Sequence, residues 1–127
     1  MEILLSSIEA YIGMKSSFLV ETSALEAIIK VAANISAIAE NQGNLNLRKI
    51  ACEASVNAAM AFSMTGPLPG LMLSYTTGSY FKVSRASVAT ILYPYIFDSF
   101  LYNNSDKLKS VSQILKRELH WDTLGAN

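Results

Sequence analysis

One cysteine, one histidine and three prolines stand out as scarcities in this 127-residue chain. The single thiol, Cys52, excludes an internal disulfide framework, and its Ala-rich helical surroundings predict a small buried hydrophobe in a reducing, cytoplasmic setting. The single histidine, His120, next to Trp121 near the terminus, excludes a histidine-built metal cluster and reads as plain surface. Charge of either sign is sparse: ten Lys plus Arg balance ten Asp plus Glu, and charged residues make up only 16%. A neutral chain carries no field to draw nucleic acid or an anionic membrane, so neither is an expected partner.

No long hydrophobic run is present either. The most apolar stretch, Ile50 to Tyr75, holds Glu53 and Asn57 and is broken by Pro67 and Pro69, which excludes a membrane span. The N-terminus lacks the basic region and cleavage site of a signal peptide. What the chain has instead is apolar surface, with hydrophobic residues at 51%. That is enough for one core and leaves surplus for a protein partner or a homo-oligomer.

The apolar residues recur at helical spacing. Leu4, Leu5, Ile8, Tyr11 and Ile12 predict a first helix over residues 3–14. Ser23 with Glu26 makes a capping box ahead of Leu25, Ile28, Ile29, Ala32 and Ile35, predicting a second helix from Ser23 to Asn41-Gln42-Gly43. A third, with Ala51, Ala54, Ala58, Ala59 and Ala61 as a close-packing spine, spans about 45–64. Gly66-Pro67-Leu68-Pro69-Gly70 is a turn. A short helix over 71–77, one capped by Ser84 over 85–97 and kinked or ended by Pro94, and one over 105–119 complete an all-α bundle in a single domain, 1–127. Tyr75, Tyr80, Phe81, Tyr93, Tyr95 and Phe97 read as core or interface, and Glu9 and Glu53 as capping or solvated-face residues.

Three ordered segments over residues 1–97 carry a family resemblance. Ile8-Glu9-Ala10-Tyr11 resembles D-A-L-x-H-A-I-E-A-Y. Met60-Ala61-Phe62-Ser63-Met64-Thr65-Gly66 with Leu73-Ser74-Tyr75 is similar to M-A-F-S-N-T-G running into H-A-L-S-Y-P-L. Val88 to Ile96 with Pro94 is similar to H-G-x-A-x-A-x-L-L-P-x-V. These are patterns of the iron-containing (group III) alcohol dehydrogenases, and the resemblance implies their helical, dehydroquinate synthase-like C-terminal domain. In that family an α/β domain binds NAD(P), and the helical domain holds one iron or zinc ion through an Asp and a His four residues apart and two further His. The ion polarises the alcohol oxygen ahead of hydride transfer.

By that resemblance, the ligand positions fall on Glu2, Ser6, Leu71 and Arg85, and a histidine often found near the nicotinamide falls on Tyr75. Only Glu2 is a ligand type, so the expected metal and cofactor content is none. Glu2, Ser6, Leu71, Tyr75 and Arg85 then form a candidate pocket. In it Arg85 replaces the metal's charge by pairing with Glu2 or binds a small anion; a plain surface arginine is the alternative. With the nucleotide-binding domain expected to be missing before Met1, the expected function is a non-catalytic, metal-free interaction module, with one half of a split dehydrogenase as the alternative.

Overall fold

The computed structural model describes residues 1–100 and 105–119. Among them are six helices and no strand: α1 (Glu2–Ile12), α2 (Phe18–Glu40), α3 (Leu45–Thr65), α4 (Pro69–Phe81), α5 (Arg85–Phe100) and α6 (Ser105–Glu118). The all-α expectation holds. α2 and α3 lie along each other, α1 packs on both, α4 and α5 form a pair that meets α1, and α6 closes on α1 and α2.

The core follows the helical period. Leu4, Ile8 and Ile12 of α1 meet Val20, Ala24, Ile28 and Val31 of α2, with Ala54 and Ala61 of α3 against them. The alanines matter for their small volume, which lets α3 approach α2. Ile12 and Ile28 are wholly buried, and truncating either to alanine costs about 2–5 kcal/mol by lost contact and residual cavity. Lys30 of α2 binds Glu53 of α3 at 2.8 Å and Glu26, one turn earlier on its own helix, at 3.4 Å. Glu53 faces solvent in part, as expected, with its side chain 43% exposed, and is also an ion-pair partner of Lys30, which holds its carboxyl below the ordinary carboxylate range.

Several boundaries differ from the sequence reading, each for a local reason. α2 begins five residues before Ser23: Ser17 is the cap, accepting from the Val20 N–H at 3.4 Å. The extension buries Val20, which is 1% exposed, and that gain outweighs the propensity signal at Ser23. α1 ends at Ile12, short of Met14. α4 runs beyond 71–77 at both ends, and it closes on Lys82, which adopts the left-handed conformation with its N–H on the Gly78 carbonyl. Pro94 does not end α5, which continues to Phe100. Cys52 is exposed, contrary to the expected buried hydrophobe, because α3 turns Ala54 and Ala58 inward and Cys52 outward. His120 and Trp121 lie outside the described residues.

Candidate functional site

Four ligand positions of the resemblance sit at the starts of three helices. Glu2 opens α1 and is half-buried; Ser6 follows one turn later, 2% exposed. A spacing of four puts both on one helical face. The Ser6 hydroxyl donates into its own helix, 2.9 Å from the Glu2 carbonyl oxygen and 3.2 Å from that of Ile3. Leu71, in the first turn of α4, packs its alkyl side chain against the core. Arg85 is the first residue of α5 and is exposed.

Arg85 does not pair with Glu2: no ion pair links them among the described residues. Its guanidinium lies 4.4 Å over the Tyr75 ring, a cation–π contact, and its stem crosses α4 at Gly78. A Cβ added to Gly78 would stand 3.1 Å from Arg85 Cγ, so the glycine makes the room in which the arginine lies. A divalent iron or zinc ion does not fit this donor set. Glu2 offers one carboxylate, Ser6 a hydroxyl committed to the helix, Leu71 nothing and Arg85 a fixed positive charge. No group of three or more His, Cys, Asp or Glu side chains comes together among the described residues.

The interior next to these positions is occupied by Glu9. Of the two roles expected for Glu9, the solvated face does not hold, since it is 1% exposed, and the capping role does, though on another helix. α4 starts with Leu68 as its cap residue, which offers no side-chain acceptor, and with Pro69, which has no N–H. The next two N–H groups need an acceptor. Glu9 supplies it from α1: Oε1 accepts from Gly70 N at 2.7 Å and Oε2 from Leu71 N at 3.3 Å. Oε2 also accepts from the Tyr93 hydroxyl of α5 at 2.8 Å.

Tyr93 is wholly buried, and burial raises its phenol pKa above the ordinary value, followed by the neighbouring charge of Glu9 and the hydrogen bond to it. Glu2 and Tyr75 push in the same direction. Glu2, Glu9, Tyr75 and Tyr93 thus share one electrostatic neighbourhood, in which the phenol stays a proton donor. The backbone is packed as tightly: a Cβ on Gly70 would lie 2.8 Å from Tyr93 Cζ and 3.0 Å from Glu9 Oε2. Of the other aromatics, Phe97 packs on Tyr93 at 5.2 Å between centroids, while Tyr80 and Tyr95 are 80% and 76% exposed. The missed signal was a lone carboxylate on the apolar face of α1, together with a Leu-Pro-Gly helix start that has no acceptor of its own.

Six helices and no strand among the described residues define a class of fold before they define a function. Residues 1–125 match the model of the Fe-containing alcohol dehydrogenase family, C-terminal, and the chain belongs to that family. No curated protein and no solved structure matches it. Among the described residues, no helix is long and apolar enough to cross a membrane.

Proposed function

We propose that this chain is a metal-free, non-catalytic helical module of the Fe-containing alcohol dehydrogenase family, working in the cytoplasm by association with a protein partner or a second copy of itself. One observation carries the reading: at the third histidine position stands Arg85, its guanidinium stacked 4.4 Å over Tyr75, which itself occupies the position near the nicotinamide. A divalent ion placed beside a permanent cation is repelled, and the family's polarisation of an alcohol oxygen has no place to occur. The nearby carboxylate of Glu9 is already taken up by the Gly70 and Leu71 N–H groups and the Tyr93 hydroxyl.

Association is supported by exposed apolar side chains in series. Val56, Met60 and Met64 recur every fourth residue on the outer side of α3, and Met72, Leu73, Tyr80 and Phe81 are exposed on α4. The test is elemental analysis of the purified chain together with its mass in solution. The expected result is no stoichiometric iron or zinc and a mass above that of one chain or one that rises with concentration. One iron or zinc per chain, removable by chelator, sinks the metal-free reading. A strict monomer sinks self-association and leaves a different protein as the partner. A variant with Ser6→His, Leu71→His and Arg85→His tests whether the pocket geometry survives: metal uptake is the expected result, and no uptake counts against that geometry.

A further inference from the structure

α6 is tied to the bundle at its first turn. Lys107 Nζ donates to Glu21 Oε1 at 2.7 Å and to the Tyr11 carbonyl at 3.2 Å, and lies 5.4 Å over the Tyr11 ring. From there its apolar side runs down over α1. On the flank towards α5 the helices do not close, and a cavity of about 350 Å³ remains, lined by Ile8, Phe97, Leu108, Val111, Leu115 and Leu119. That volume falls within the range of about 300–1,000 Å³ of small-molecule sites. Its polar lining consists of Ser112 and Lys116.

The charges of α6 mark this end as different. Lys107, Lys109 and Arg117 each meet a carboxylate: Glu21, Asp106 and Glu118. Lys116 forms no ion pair and no hydrogen bond among the described residues, and neither does the Ser112 hydroxyl one turn before it. An apolar cleft with one uncompensated ammonium and one unused hydroxyl is complementary to an apolar chain ending in an anion.

We infer that the cleft between α1, α5 and α6 binds a medium-chain alkyl carboxylate, its chain against Ile8, Phe97, Val111 and Leu115 and its head group at Lys116 and Ser112. A methylene group takes roughly the ~30 Å³ of a water molecule in the liquid. About 350 Å³ therefore holds about twelve non-hydrogen atoms, the ten carbons and two oxygens of decanoate. Each methylene buried before the cleft fills should raise affinity about fourfold.

The test is calorimetric titration of the full chain with hexanoate, octanoate, decanoate and dodecanoate, and with decanol as the uncharged control. One saturable site is expected, with affinity climbing along the series and levelling near decanoate. Lys116→Met should weaken decanoate about fivefold, the scale of one exposed ion pair, and leave decanol unchanged. Ser112→Phe, which extends a ring into the cleft from an exposed position, should abolish binding of both while the helical circular dichroism is kept. Three results overturn the inference: no saturable decanoate binding, as when a second copy or another part of the chain covers the cleft; affinity that keeps rising to dodecanoate and beyond; or decanoate binding that Ser112→Phe leaves intact. An equal loss of decanol and decanoate with Lys116→Met overturns the head-group assignment.

Discussion

Glu9 Oε1 accepts a 2.7 Å hydrogen bond from the backbone N–H of Gly70, a residue 61 positions further along the chain. A carboxylate on α1 thereby acts as the N-terminal cap of α4, whose own cap residue, Leu68, has no acceptor. The positive end of the α4 dipole adds to the attraction. Through Tyr93 the same carboxyl group also holds α5. Three helices therefore depend on one buried side chain.

Removing it should be costly. Glu9→Ala leaves the Gly70 and Leu71 N–H groups and the Tyr93 hydroxyl without their acceptor, and should destabilise the fold by about 3 kcal/mol. Glu9→Gln keeps one acceptor oxygen but turns an amide donor towards other donors, for about 2 kcal/mol. Tyr93→Phe removes one bond, for about 1–2 kcal/mol. Urea unfolding measures all three, and the Glu9 and Tyr93 effects should be non-additive because they share a bond. A Glu9→Ala loss below about 0.5 kcal/mol would show that the cap contributes nothing, since ordinary surface substitutions stay within that range.

Gly70→Ala tests the packing rather than the hydrogen bonds. In an open helix the change should stabilise by up to about 1 kcal/mol. Here the new methyl would sit 2.8 Å from Tyr93 Cζ and 3.0 Å from Glu9 Oε2, both wholly or nearly buried. Overpacking of this kind costs about 1–3 kcal/mol. The expected sign is destabilisation, read as a lower thermal midpoint; Gly43→Ala, with nothing within 4 Å of its added Cβ, should not share it.

Stability should fall at alkaline pH through Tyr93. Its pKa in the folded chain lies above the ordinary 10.0, chiefly because burial penalises the phenolate and then because Glu9 repels it. A raised folded value means the contribution is complete below pH 10.0 and is lost as the pH climbs above it. Urea midpoints of the native chain should therefore decline above that point, and Tyr93→Phe should flatten the decline. Equal slopes in the two proteins would contradict the assignment.

At the acid end one such group, besides Glu53, is Glu21. Lys107 and, less strongly, Ser16 hold its carboxyl below the ordinary 4.5 by hydrogen bonding to it. A depressed folded value contributes stability above pH 4.5 that is lost as the pH falls through the lowered value. The pair is partly exposed, at 31% and 37%, so salt should weaken it. Lys107→Met should reduce the acid sensitivity and loosen α6 first, detectable as faster amide exchange in α6 than in α2.

Helix periodicity is a local signal: side chains three and four residues apart share a face whatever surrounds them. That is why the helices and the family motifs were legible in the sequence, and with them the inward Ala54, Ala58 and Ala61 of α3, whereas Ala59 of the expected spine is exposed. Helix starts were less legible. Ser23 has the right chemistry for a cap, but burial of Val20 moved the start to Ser17, a choice made by the core and not by the turn.

Which polar group meets which was decided only in three dimensions. Arg85 could pair with Glu2 or stand free as far as its type shows; the glycine at position 78 lets its stem lie across α4 and brings its charge onto Tyr75 instead. Glu9 has no partner within its own helix, and its acceptor role exists only once α1, α4 and α5 converge. A short-range code of spacing and propensity determined what this chain is built from, while desolvation at long sequence separation determined where its buried carboxylate had to go.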